Sequence, residues 1–218
     1  MVARQQSGSN RMVLLLVAGI PITIMLMATW LWYYVVEGEL DLVGILGTSN
    51  TGSLVQPPRE LEGLDLTEAG SLPFHYSELE PKWTFLIPGG ASCDATCEKV
   101  LYTTRQIHIA MGKEFNRIRR IHLSDRELTD TQWAPASAAG KSPAPLTFSE
   151  FLAGEHRGMK ALKIAPGHYQ ALLSEYLSEP STWYLVDPAG WIMMSYDSDD
   201  NYKGVMSDLK FLLKNSGE

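Results

Sequence analysis

Hydrophobic positions along this chain fall into one long block followed by short periodic clusters. The block is "MVLLLVAGIPITIMLMATWLWYYVV", Met12 to Val36, 25 residues without a charge. As a helix it rises about 37 Å, enough to cross the ~30 Å hydrocarbon layer of a bilayer with some tilt. Pro21 is tolerated in such a span, and Trp30, Trp32, Tyr33 and Tyr34 form an aromatic belt at its C-terminal end. A cleavable signal peptide has a shorter apolar core and a small-residue cleavage site, and "VVEGELDLVG" offers none. The block predicts a retained membrane anchor. Residues 37–60 then mix Gly, Ser, Asn and a Pro pair and read as a tether.

From Leu61 the pattern alternates between strand and helix periods. "LDLTEAGSLPF" predicts two short strands about a Gly-containing turn, and "KWTFLIP" a buried strand ended by Pro88. A helix is expected after Gly89–Gly90, reaching about Lys113. Along it Cys97, Val100, Leu101, Thr104, Ile107, His108 and Met111 share one face. "RIRRIHLS" reads as a strand with weak alternation, and the Ala/Pro/Ser-rich stretch 127–148 as an irregular surface insertion. "MKALKI" is a further strand, and Pro166 is placed to open the helix "PGHYQALLSEYLS". "TWYLVD" and "WIMMSY" flank "PAG" as a hairpin, and "NYKGVMSDLKFLLKN" is an amphipathic closing helix. The order predicts an α/β domain with a mixed sheet.

Charge sets the orientation. Arg4 and Arg11 precede the apolar block with no acid beside them, whereas Glu37, Glu39 and Asp41 come after it. The positive-inside rule then keeps residues 1–11 cytoplasmic and exports the chain beyond Val36. Without those two arginines, residues 12–218 carry 16 basic and 25 acidic side chains, a net −9. That charge gives no nucleic-acid signature. The N-terminus lacks an Arg-rich amphipathic presequence, which favours a bacterial inner membrane with the domain in the periplasm. The cysteines are then expected in an oxidising compartment.

The candidate chemistry sits in "GGASCDATCEKV", residues 89–100, which holds both cysteines, Cys93 and Cys97. Four residues apart at a helix start, their sulfurs can meet, and the helix N-terminus favours a thiolate while Asp94 opposes it. Such a pair can be a static disulfide, a redox couple or part of a soft-metal site. A structural bond closing so short a loop adds little chain-entropy stabilisation. In a redox couple Cys93 is expected to be the more accessible sulfur and Cys97 the resolving one.

"LDLTEAGSLPFHYSELEPKWTFLIPGGASCDATC" resembles the opening of thioredoxin-like domains, especially the Sco/SenC family of cytochrome c oxidase assembly proteins. "RIRRIHLSDRELTD" is similar to that family's second core strand and acidic turn, and "WYLVDPAGWIMMSY" to its strand–Pro-x-Gly–strand hairpin. The resemblance covers about residues 61–216. It implies a thioredoxin-like fold and a role in building the copper centre of an oxidase subunit. The family does this by carrying copper, by acting on the recipient's thiols, or both. The implied partners are the membrane, the copper-receiving subunit and other copper-assembly factors. The family's copper site joins the two cysteines to a histidine in the loop before the hairpin. Here the matching position is Glu179, in a short loop, and Asp94 stands where a proline is common after the first cysteine. Two thiolates and a carboxylate are a poor home for Cu(I), which prefers sulfur and imidazole. Cys93 and Cys97 are therefore expected to act by thiol chemistry, with a metal role for the pair lacking its third ligand.

Other groups are secondary. His168, in the first turn of a helix, is a substitute-ligand candidate. His108 shares the Cys97 face but lies about 16 Å along the axis and reads as packing. His75, His122 and His156 show no ligand spacing. Met193 and Met194, adjacent on a strand, point to opposite faces and read as filler. Pro180 precedes Ser181–Thr182, near where thioredoxin-like folds place a cis-proline, and a trans bond is expected. No Ser–His–acid set, phosphate loop or zinc spacing occurs.

The expected organisation is a cytoplasmic segment 1–11, a transmembrane helix 12–36, a periplasmic tether 37–60 and a thioredoxin-like domain 61–218. The expected function is thiol–disulfide exchange during oxidase assembly. Rival readings are a docking or chaperone protein with a static disulfide, and a general periplasmic thiol reductase or peroxidase.

Overall fold

In the computed structural model the described residues are 6–36, 50–68, 72–135 and 145–216. They fall into two units, 1–49 and 50–218.

The first unit is a single helix, α1 (Gln6–Val36), whose stretch Met12–Tyr33 is long and apolar enough to cross a membrane. Its apolar side chains are exposed all round, as a lipid-facing helix requires. Two of its hydroxyls are satisfied internally. Thr23 donates to the Ile20 carbonyl (2.9 Å) and Thr29 to that of Met25 (2.8 Å), so neither needs water. Residues 1–5 of the expected cytoplasmic segment and 37–49 of the expected tether lie outside the described residues.

The second unit is built on a seven-stranded mixed sheet. Its strands are β1 (Ser53–Glu60), β2 (Thr67–Glu68), β3 (Trp83–Gly89), β5 (Ile118–Ser124), β7 (Lys160–Lys163), β8 (Trp183–Val186) and β9 (Trp191–Tyr196). The order across the sheet is β1-β9-β8-β3-β5-β7-β2. β3, β5 and β7 are parallel, and β8, β9, β1 and β2 are antiparallel to their neighbours. A second pair, β4 (Ser92–Cys93) with β6 (Gln132–Trp133), lies beside it in sequence and runs parallel. The helices are α2 (Ala95–Ala110), α3 (Phe148–Glu155), α4 (Pro166–Leu172), α5 (Ser174–Ser178) and α6 (Tyr202–Asn215).

Helices cover both faces of the sheet, which is why β3 is buried at every position and β5 alternates weakly. One core joins Phe85 and Leu185 to Leu101 of α2, Phe151 of α3 and Leu209 of α6. The other joins Leu86 and Ile121 to Tyr169 and Leu172 of α4. The hairpin between β8 and β9 turns at Gly190, whose φ of 101° disfavours a side chain. Asp187 closes that turn, its carboxylate accepting from Ala189 N (3.0 Å) and Trp191 N (2.8 Å).

Three expectations are corrected. Residues 53–60, assigned to the tether by composition, form the edge strand β1, where Pro57 and Pro58 cost no central ladder bonds. Asp208, buried in α6, fastens its start, accepting from Thr51 N (2.9 Å), Gly52 N (3.1 Å) and the Tyr196 hydroxyl (3.3 Å). The helix expected over 166–178 breaks at Leu173 (φ −124°, ψ 42°), which is fully buried. The Tyr176 N–H left over at the new helix start donates to the Tyr184 hydroxyl at 3.0 Å, which in turn donates to Glu175. Finally, the stretch 127–148 is partly ordered into β6 and the start of α3, while 136–144 lie outside the described residues. Of the expected pair of strands near Leu61, β2 and an isolated bridge between Leu66 and Phe74 form, with 69–71 undescribed.

Candidate functional site

β3 ends at Gly89, and Gly90 leads into β4 and the helix α2. Cys93 and Cys97 are joined by a disulfide, their Cα atoms 5.1 Å apart. The strand–Gly-Gly–helix pattern positions this turn, and Asp94 is its N-cap. The Asp94 carboxylate accepts from Thr96 N (3.0 Å) and Cys97 N (3.1 Å), so the charge that opposes a thiolate also ties down the helix start.

The two cysteines differ in burial, in the sense opposite to the access expected of them. Cys93 is 1% exposed, while Cys97 is half-buried. Cys93 lies in β4, paired with Trp133 of β6. Ala134 N donates to its carbonyl (3.0 Å) and Gln132 N to that of Ala91 (2.9 Å). Trp133 stacks on Phe151 with ring centroids 4.4 Å apart, so the segment expected to be a loose insertion closes over the first cysteine's strand.

Two tyrosines that carry no motif in the sequence brace the turn. The Tyr169 hydroxyl donates to the Gly89 carbonyl at 2.9 Å. The Tyr176 hydroxyl lies over Gly90, where an added Cβ would sit 2.9 Å from it. Burial holds both phenols above their usual range, with Asp94 adding to the effect on Tyr176. Their seven-residue spacing in a helical pattern was the available signal.

His122, which shows no ligand spacing, also belongs here. It is 1% exposed, paired in register with Ile87 of β3 and Ala161 of β7. A Cβ on Gly89 would fall 2.4 Å from its ring, so the glycine exists to admit the imidazole. The ring packs against Phe148 (5.3 Å), and neither nitrogen has a hydrogen-bond partner among the described residues. Burial pushes its pKa down to about 4, leaving a neutral imidazole beneath the strand end that carries the cysteine turn.

The remaining candidates are not gathered at the disulfide. Glu179 is exposed, and its carboxylate accepts from Ser181 Oγ (2.9 Å) and Ser181 N (3.3 Å). His168 and His75 are exposed. His108 is buried, its Nε2 2.9 Å from the Phe115 carbonyl, and His156 is buried with Nδ1 3.2 Å from Arg120 Nη1. Met194 is in the core and Met193 half-buried against it. Among the described residues no group of three His, Cys, Asp or Glu side chains could hold a metal ion, and the one cis peptide is Gln56–Pro57.

Residues 83–143 and 138–216 match the family described as transmembrane-like, thioredoxin-like, C-terminal domain. No curated protein matches the chain. Among solved structures, that of yeast Sco1 is similar at 15% identity and a TM-score of 0.53, covering 75% of this chain and 99% of that one. Apo Sco1 from Thermus thermophilus is similar at 15% identity and a TM-score of 0.50, covering 75% of this chain and 96% of that one. At these identities the likeness shows the thioredoxin-like fold with its mixed sheet and flanking helices.

Proposed function

From the premise that the chain belongs to the transmembrane-like, thioredoxin-like C-terminal domain family, we propose that it is a single-pass membrane protein exchanging its Cys93–Cys97 disulfide with partner thiols. The partner class we assign is the copper-receiving subunit of a haem–copper oxidase, or a factor that acts on it. The Sco/SenC-like motifs and the Sco1-like fold support that partner class. Arg4 and Arg11 before the anchor, and Glu37, Glu39 and Asp41 after it, support an N-terminus in the cytoplasm and a domain in the bacterial periplasm. The proposed boundaries are an anchor over 12–36 and a thioredoxin-like domain that begins with β1.

The observation that carries the reading is the disulfide at the start of α2 with Cys97 half-buried beside a buried Cys93. A partner thiolate attacks the Cys97 sulfur, forming a mixed disulfide as the Cys93–Cys97 bond breaks and Cys93 leaves as a thiolate. A second partner thiolate then attacks the partner's sulfur in that bond and releases Cys97. The partner dithiol is thereby oxidised by two electrons and this chain reduced, and the reverse sequence reduces a partner disulfide. The dipole at the start of α2 stabilises the thiolates formed, with Asp94, which already takes the Thr96 and Cys97 amides, opposing it.

A resident copper ion does not fit the donor set. The two sulfurs are bonded to each other, Glu179 is engaged by Ser181, and no described His, Cys, Asp or Glu completes a three-ligand group. We assign no step to copper.

Burial of Cys93 favours a second reading, a docking protein whose disulfide stays closed. Thiol trapping in membranes separates the two. Cys93→Ser, which leaves the accessible Cys97 thiol, is expected to accumulate a reductant-sensitive adduct with the oxidase subunit and to lower oxidase content. Normal oxidase in both Cys93→Ser and Cys97→Ser, with no adduct, would support docking instead.

A further inference from the structure

The end of the domain where β3 and β5 begin holds a cleft of about 470 Å³. β3 separates it from the cysteine turn, which lies past that strand's other end, about 20 Å away along the strand. Five cations line it: Lys82 just before β3, Arg119 and Arg120 in β5, Arg105 in α2, and Arg157 after α3. Its lining includes one carboxylate, Glu155, whose Oε2 lies 3.3 Å from Arg105 Nη1. In a chain of net charge −7 this is a local reversal of sign.

Arg120 is the informative member. It is 5% exposed, and its Nη1 lies 3.2 Å from His156 Nδ1. No carboxylate is ion-paired with it among the described residues, although a buried cation is costly unless paired. Burial and the neighbouring Arg105 lower its pKa to about 10, so it stays charged at neutral pH. Arg105 is held by the carbonyl and carboxylate of Glu155, whereas Arg119, on the opposite face of β5, donates to Thr84 Oγ1 (2.8 Å) with its guanidinium over the Tyr76 ring. The negative end of the α2 dipole offsets part of this charge, but it is equivalent to only about half an elementary charge. A buried guanidinium with no carboxylate paired to it among the described residues, beside a cleft lined by further cations, suits an anion.

The cleft also has an apolar wall. Ile109 and Phe115 line it, 57% and 42% exposed, and Phe115 stacks on His108 with centroids 4.0 Å apart. The volume lies in the range of about 300–1,000 Å³ usual for small-molecule sites. We propose that this cleft binds a phosphate ester, its phosphoryl oxygens taken by Arg120 and the neighbouring guanidinium groups and its organic part laid against Ile109 and Phe115. Planar guanidinium forks suit phosphate, which accepts paired N–H bonds. A soluble phosphomonoester and a phospholipid headgroup share this chemistry.

The test uses the full chain in neutral detergent micelles, with phenyl phosphate and inorganic phosphate as calorimetric probes. Phenyl phosphate is expected to bind one-to-one and more tightly than inorganic phosphate, with affinity falling as salt rises. Arg120→Met should weaken it roughly tenfold or more, the loss of one charge-assisted contact. Should Arg120→Met fail to fold, exposed Arg157→Gln should still weaken it, and Cys93→Ser should leave it unchanged. Repeating the titration in phosphatidylcholine nanodiscs with and without phosphatidylglycerol identifies the source. Competition by phosphatidylglycerol assigns the site to a lipid headgroup, and its absence to a soluble ester. No saturable binding by the unmodified chain, or affinity unchanged by both arginine substitutions, would overturn the proposal.

Discussion

Burying His122 with no hydrogen-bond partner among the described residues makes stability depend on acid in a way that can be worked out. The ring's pKa in the fold is about 4, against 6.5 for an exposed imidazole, and burial is the cause. A histidine depressed in this way contributes stability that is present above 6.5 and lost as pH falls toward 4, because the unfolded chain takes up a proton that the folded one refuses. Between about pH 7 and about pH 5 the loss is about 2 kcal/mol, rising to about 3 kcal/mol once both states are protonated. His122→Leu, close in volume and without polar atoms, should remove this component. It should also be no less stable at neutral pH, since it deletes two unpartnered buried nitrogens. The assay is urea unfolding of the full chain in detergent, monitored by the fluorescence of buried Trp83 and Trp183 across that pH range. Other groups, among them His108, whose pKa burial also lowers, act equally in both proteins and cancel in the difference. An identical acid loss in the two proteins would refute the assignment.

Three further outcomes are expected. Gly89→Ala drives a methyl group to within 2.4 Å of the buried His122 ring and should cost about 1–3 kcal/mol, with partial recovery in Gly89→Ala combined with His122→Ala, read by the same urea unfolding. Asp208→Ala leaves the Thr51 and Gly52 amides unpaired, and should cost about 1–3 kcal/mol and speed amide exchange at the start of β1. Asp94→Ala removes the cap of α2, costing about 1 kcal/mol, while making the disulfide easier to reduce because a nearby negative charge is gone; unfolding and a redox titration read the two effects separately.

Much of the fold was legible because its strongest signals are local. The uncharged block, the β3 run ending in Pro88, the face of α2 and the Asp187–Gly190 turn each carry their own pattern. β1 was not legible, since Ser, Gln and two prolines spell a loop, and it is pairing with the distant β9, with Asp208 fastening the residues just before it, that makes it a strand. The break at Leu173 depends on the Tyr184 hydroxyl, another tertiary partner. At the site, the residue types and the possibility of a disulfide could be read from spacing. Relative access of the sulfurs could not, because Cys93 is covered through pairing with Trp133 from the Ala/Pro-rich segment. His122 carried no motif at all; its meaning lies in a glycine one strand over.

The central claim is that the Cys93–Cys97 disulfide cycles. Equilibrating the full chain in detergent with thiol–disulfide buffers of graded potential, and counting alkylated cysteines, measures its reduction potential directly. A bond closing a very short loop at a helix start, with thiolates stabilised there, should be reduced well above the roughly −300 mV below which inert structural bonds lie. Glutathione should capture Cys97 in the Cys93→Ser variant faster than Cys93 in Cys97→Ser. A potential below that limit, with neither cysteine captured, would contradict the exchange reading and leave the disulfide a fixed brace of the turn before α2.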